Sequence, residues 1–161
     1  MAVWHFKFDM IPRPGIERAL GRQASVLEEY QAKDDGPSVL PDVPNYWGDT
    51  DLMQFESRLA AILPQEPWSG QGPMRFGSAE GDRIELWPND IECAIDLRNF
   101  SGERLHAMLG FAASTGLSLV VHGTGEVVEP NFDAVADRIR TSRAYSFFID
   151  PRGFLLASRQ P

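Results

Sequence analysis

Met74-Arg75-Phe76-Gly77-Ser78-Ala79-Glu80-Gly81-Asp82-Arg83-Ile84-Glu85-Leu86-Trp87-Pro88-Asn89-Asp90-Ile91-Glu92-Cys93-Ala94-Ile95-Asp96-Leu97-Arg98 is the stretch that decides the fold class. Three short runs within it, Met74–Ser78, Arg83–Pro88 and Ile91–Arg98, alternate apolar and polar residues with the period of a half-buried strand. Gly81-Asp82 and Pro88-Asn89-Asp90 supply turn residues between them. Connections this short join antiparallel neighbours, because parallel strands need a long crossover.

Upstream, Val3 to Met10 alternates again, with Trp4, Phe6 and Phe8 on one side and Val3, His5 and Lys7 on the other; Pro12 and Pro14 end the strand. A weak apolar stripe (Ile16, Leu20, Leu27) predicts a helix over residues 16–30. Asp51 to Leu63 reads as a helix capped by Asp51, with Gln54 where a capping box needs it and Pro64 as the stop. Downstream, Ser101 caps a helix that ends at Gly116. Leu117 to His122 is a strand, Gly123-Thr124-Gly125 turns it toward a short return strand at 126–128, and Asn131 caps a helix to about Thr141. Tyr145–Leu156 fits either a terminal hairpin or a continued helix stopping at Pro151. The expectation is a single α+β domain over 1–161, an antiparallel or mixed sheet of about five strands with three to four helices packed on it.

Composition narrows the function classes. The 161 residues carry a formal charge of −8 and no cluster of Lys and Arg, which argues against a nucleic-acid binder. The N-terminus lacks a signal-peptide pattern, no segment is apolar enough to span a membrane, and the single cysteine suits a reducing compartment, so a cytoplasmic protein is expected. Cys93 falls on the apolar side of its strand and reads as a buried small hydrophobe. No nucleophile elbow, phosphate loop, zinc motif or calcium loop is present. The sequence implies no metal and no cofactor, and no catalytic residue can be named.

Two constellations remain. From Asp34 to Ser57 six acids (Asp34, Asp35, Asp42, Asp49, Asp51 and Glu56) run without a single Lys or Arg, around Tyr46 and Trp47. Aromatic anchors in a field of one sign suit a protein interface, so Asp42, Tyr46, Trp47, Asp49 and Asp51 form a candidate surface for a basic partner. The alternative is that both aromatics fold onto the core and pin the loop. The second constellation is on the sheet. If Ile91, Cys93, Ile95 and Leu97 face the core, then Asp96 and Arg98 share the opposite face, either as an exposed ion pair or, with Trp87 and His122, as a small-molecule or catalytic site on an open sheet face.

Arg83-Ile84-Glu85-Leu86, the strand ending Ile95-Asp96-Leu97-Arg98, and Ser142-Arg143-Ala144 before Phe147-Phe148-Ile149-Asp150-Pro151 resemble small bacterial α+β proteins of the toxin-immunity type. The resemblance spans the second half of the chain. It implies a non-enzymatic acidic protein that binds and blocks a basic cognate toxin.

Overall fold

The structure, a computed structural model, describes residues 3–33 and 43–157. Its centre is a six-stranded antiparallel sheet in the order β2-β3-β4-β1-β5-β6. The strands are β1 (His5–Pro12), β2 (Met74–Gly77), β3 (Arg83–Trp87), β4 (Asp90–Asp96), β5 (Leu117–Val121) and β6 (Val127–Val128). Among the described residues six α-helices accompany it: α1 (Arg13–Leu20), α2 (Glu56–Ala60), α3 (Gly102–Thr115), α4 (Phe132–Thr141), α5 (Arg143–Ile149) and α6 (Pro151–Ala157). The architecture is α+β.

β1 joins the β2–β3–β4 meander to the β5–β6 hairpin. It pairs with β4 from His5↔Asp96 to Asp9↔Glu92 and with β5 from Phe8↔Val121 to Pro12↔Leu117. The first face carries Phe6, Phe8, Met10, Phe76, Ile84, Leu86, Ile91, Cys93, Ile95 and Leu119, all buried. Helices α2 to α5 cover it with Leu59, Leu105, Met108, Phe111, Ala112, Val135, Ile139 and Ala144. The caps follow from the sequence: Asp51 caps the 3-10 turn that leads into α2, and Ser101 and Asn131 cap α3 and α4, their side chains accepting from the backbone N–H of Met53, Arg104 and Ala134.

Several expectations are corrected. The helix predicted over 16–30 is α1 alone, stopping at Gly21, followed by extended chain and a 3-10 turn at Glu28–Tyr30. Val26 there bridges to Glu126, so this stretch finds its backbone partners in the β5–β6 turn rather than in a helix. The helix over 51–63 opens as a 3-10 turn, Leu52–Phe55, before the single turn of α2. Gln54 bonds the Asp51 carbonyl at 2.7 Å, so the reciprocal half of a capping box is missing. The C-terminus is helical, broken between α5 and α6 at Asp150-Pro151, where proline can begin a helix but not continue one.

The second face of the sheet is not open. Ala94 and Asp96 are buried, and a smaller core of Ile11, Ile16, Leu27, Tyr30, Tyr46 and Val120 lies over this face. Residues 25–31 are strapped to the β5–β6 turn by Leu27 N–H to Gly125 C=O (2.8 Å), Val127 N–H to Ser25 C=O (2.9 Å) and Gly123 N–H to Tyr30 C=O (3.0 Å). Residues 43–48 are held beside α1, where the Arg18 guanidinium donates to the Tyr46 carbonyl at 2.7 Å.

Candidate functional site

Under the strap the sheet carries acids in a row. The register sets Asp9 opposite Glu92 and Glu92 opposite Glu85. Like charges facing each other across strands are unfavourable, so each needs compensation. Glu85 finds it in Arg75 (3.0 Å) and Arg83 (3.3 Å). Asp9 and Glu92 find it in Lys33, which follows the Tyr30 turn and lowers its ammonium onto the sheet. Lys33 Nζ bonds Asp9 Oδ2, lies 3.3 Å from Asp90 Oδ2 and 3.7 Å from Glu92 Oε2, and sits 5.1 Å from the centre of the Tyr30 ring.

Asp9 has no exposed surface, and its other oxygen meets His122 Nε2 at 2.7 Å. Burial pushes the Asp9 carboxyl up to about 6 against the pull of Lys33. Burial, reinforced by the charge of Asp9, takes Asp90 up to about 8. His122 is lowered to about 4 by burial and by Lys33. For Lys33 the carboxylates outweigh burial and the ammonium is held more firmly than usual. At neutral pH, then, Asp9 is ionised, Asp90 retains its proton, and neutral His122 donates Nε2–H to Asp9. The His122 Nδ1 is left buried and without a hydrogen-bond partner.

The cluster opens on a cleft of about 230 Å³, floored by Lys33, Asp90 and Glu92 and walled by Tyr30, Trp47 and Trp87. Asp9, Glu92 and His122 each offer a ligand atom within 4.8 Å of the others, a spacing that suits a divalent cation. Lys33 already stands between Asp9 and Glu92, however, and supplies the positive charge that a metal would bring.

The residues singled out from the sequence are dispersed. Tyr46 and Trp47 are core side chains, 2% and 4% exposed, and are not offered to a partner. The Tyr46 hydroxyl donates to Glu29, and the Trp47 ring packs 5.9 Å from Phe55. Asp49 and Asp51 are exposed. Asp34, Asp35 and Asp42 lie outside the described residues. Asp96 and Arg98 pair as expected, Nε to Oδ1 at 2.9 Å and Nη2 to Oδ2 at 3.1 Å, but Asp96 is wholly buried and caps the 3-10 turn Leu97–Asn99 through Arg98 N–H. Arg98 also covers the Trp4 ring at 4.1 Å. The pair closes the end of β4 and is no open site. Trp87 and His122 do belong to the cleft and its cluster, but without Asp96 and Arg98. Asp9, Lys33 and Asp90, the centre of the cluster, were not singled out. The one sequence signal for Asp9 is an acid inside an otherwise apolar-alternating central strand.

Comparison with family models, with curated proteins and with solved structures finds no match. What fold and geometry define is an α+β domain with a buried ionisable cluster under an aromatic-walled cleft. Among the described residues no helix is long and apolar enough to cross a membrane.

Proposed function

We propose that the domain binds a small organic cation in this cleft, between the carboxyl groups of Asp90 and Glu92 and the rings of Tyr30 and Trp87. One observation carries the reading: three carboxyl groups, Asp9, Asp90 and Glu92, converge on a single ammonium. Buried ion networks add little to stability, so one kept beside a cavity favours a binding role. Lys33 already shows the mode of recognition, an ammonium among carboxyls and over an aromatic face, and a ligand would repeat it one step further out. The described lining offers no Ser, Thr or Cys nucleophile, and Lys33 is held protonated, so the cleft is read as a binding site rather than a site of nucleophilic catalysis. Titration of labelled protein with propylammonium, with propionate and glycerol as controls, tests it. Shifts at Trp87, Asp90 and Glu92 with the amine alone, lost in an Asp90→Asn, Glu92→Gln variant, are expected; no response to the amine overturns it.

Asp49 and Asp51 favour a second reading. Both are exposed and follow directly on a segment pinned by Tyr46 and Trp47, so an acidic surface is presented without an ordering cost. This supports a non-enzymatic acidic protein, of the immunity type, that blocks a basic toxin. Capture from the native cell should be weakened by Asp49→Lys with Asp51→Lys and by added salt; equal capture by the variant removes this surface.

A further inference from the structure

β1 is longer than its neighbour on one side. β4 pairs with His5–Asp9, whereas β5 reaches only Phe8–Pro12. The Trp4 carbonyl accepts from Leu97 N–H, so even-numbered residues of β1 turn their backbone toward β4. Odd-numbered residues turn toward β5, as His122 N–H to Lys7 C=O (3.1 Å) and Arg13 N–H to Gly116 C=O (3.3 Å) confirm. After Val121 the chain leaves the sheet through Gly123-Thr124-Gly125. The N–H of Lys7 and both backbone groups of His5 therefore face a position where the sheet has no strand, and they have no backbone partner there among the described residues.

That position is a slot of about 170 Å³, with Phe6 and Lys7 on the β1 side and Arg138, Ser142 and Ala144 opposite. Unpaired strand edges are templates for another strand. We propose that this slot receives an extended peptide segment of a partner protein, which continues the line of β5 along residues 5–7 of β1 and carries acidic side chains alternating with small apolar ones.

The period follows from the pleat: successive residues of an added strand face opposite sides of the sheet. One side meets Phe6, Val121 and Ala144, which are apolar and buried. The other meets Lys7, for which no ion pair is formed among the described residues. The charge follows from the rim. Lys7 and Arg138 line the slot with one acid, Glu126, in a chain whose net charge is −8. Glu126 lies 3.1 Å from Arg138 Nε and takes up part of that charge, which leaves Lys7 as the cation of the rim without an ion pair among the described residues. The buried ring nitrogen His122 Nδ1, on a residue that also lines the slot, is a further polar atom without a partner.

The test uses the full chain and three capped peptides: Val-Asp-Val-Glu, Val-Lys-Val-Lys, and Val-Asp-Val-Glu with N-methylated backbone. Amide exchange and chemical shifts of His5 and Lys7 are read by NMR. The acidic peptide is expected to protect both amides, the N-methylated one to lose protection, and the lysine peptide to bind about tenfold more weakly or less. Arg138→Glu, and separately Lys7→Glu, should reverse the charge preference. Absence of binding, binding without protection of His5 and Lys7, equal binding of the N-methylated peptide, or indifference to peptide charge would each overturn the proposal.

Discussion

Lys33 places its ammonium on the carboxylate of Asp9, a side chain on the central strand with no surface of its own in solvent. The relationship is asymmetric. Lys33 has Asp90 and Glu92 in reserve, whereas Asp9 has no second cation among the described residues, only the neutral hydrogen-bond partners His122, Tyr30 and protonated Asp90. Removing Lys33 strands a buried charge; removing Asp9 does not. Lys33→Met is therefore expected to cost ~3–5 kcal/mol in urea unfolding at neutral pH. Asp9→Asn should cost less, and the double variant less than the sum of the two. Equal losses in the two single variants would show that Asp9 is compensated elsewhere.

The same cluster sets a pH dependence. Asp90, raised to about 8, binds its proton more tightly folded than unfolded, so its contribution to stability is full below the unfolded value near 3.8 and is lost as pH rises through about 8. Asp9 behaves alike up to about 6. His122, lowered to about 4 from 6.5, acts in the opposite sense: stability is lost as pH falls from 6.5 toward 4. Below pH 6.5 the opposing terms overlap, so Asp90 is cleanest above it. The wild type should lose about 2 kcal/mol between pH 6.5 and the region above 8, and Asp90→Asn should be flat there. Because a cation prefers ionised Asp90, propylammonium binding should tighten over the same range and release a proton, which calorimetry in buffers of different ionisation heat would register.

Trp47 separates an interface anchor from a core residue. At 4% exposure and against Phe55, it spans the gap between the acidic segment and the first-face core. Trp47→Ala is expected to cost ~3–5 kcal/mol in urea unfolding, as large core truncations do. A solvent-facing anchor would lose no more than ~0.5 kcal/mol. Any drop in partner capture by this variant must be read against that loss of fold stability.

The difference between Trp47 and the strands explains what a sequence can disclose here. The meander was legible because each of its strands carries its own alternation and turns, and the caps at Asp51, Ser101 and Asn131 because a cap is a local bond. The second face was not, because residues 25–33 and 43–48 have no periodicity and take their shape from what they cover. Asp9 meets Lys33 across 24 residues and His122 across 113, distances over which no local pattern operates. Asp96 and Arg98, two residues apart, were found as a pair but not as a cap, since only the burial of Asp96 distinguishes the two. The terminal helices carried strand-forming residues, Tyr145, Phe147, Phe148 and Ile149; α5 forms all the same, capped by Ser142 through Tyr145 N–H, with Phe147 against Trp4 and Phe154 while Phe148 and Ile149 stay exposed.

The strap over the cluster depends on one glycine. Gly125 has φ +70°, and a Cβ there would stand 2.1 Å from the Leu27 carbonyl, which belongs to the segment that leads into Tyr30. Gly116 has a similar φ of +73° with nothing within 4 Å of the added carbon, so the two positions share the strain and differ in the clash. Gly116→Ala should cost only the left-handed penalty, ~1–2 kcal/mol. Gly125→Ala should cost more, and should also lift the strap, because Gly123 N–H bonds the Tyr30 carbonyl at 3.0 Å and the Tyr30 ring lies 6.2 Å from that of His122. Solvent admitted there removes the burial that lowers His122, so its pKa should climb from about 4 toward 6.5 in Gly125→Ala and stay put in Gly116→Ala. An NMR titration of the His122 ring in both variants reads this directly; a His122 value unchanged by Gly125→Ala would mean that the strap does not seal the cluster.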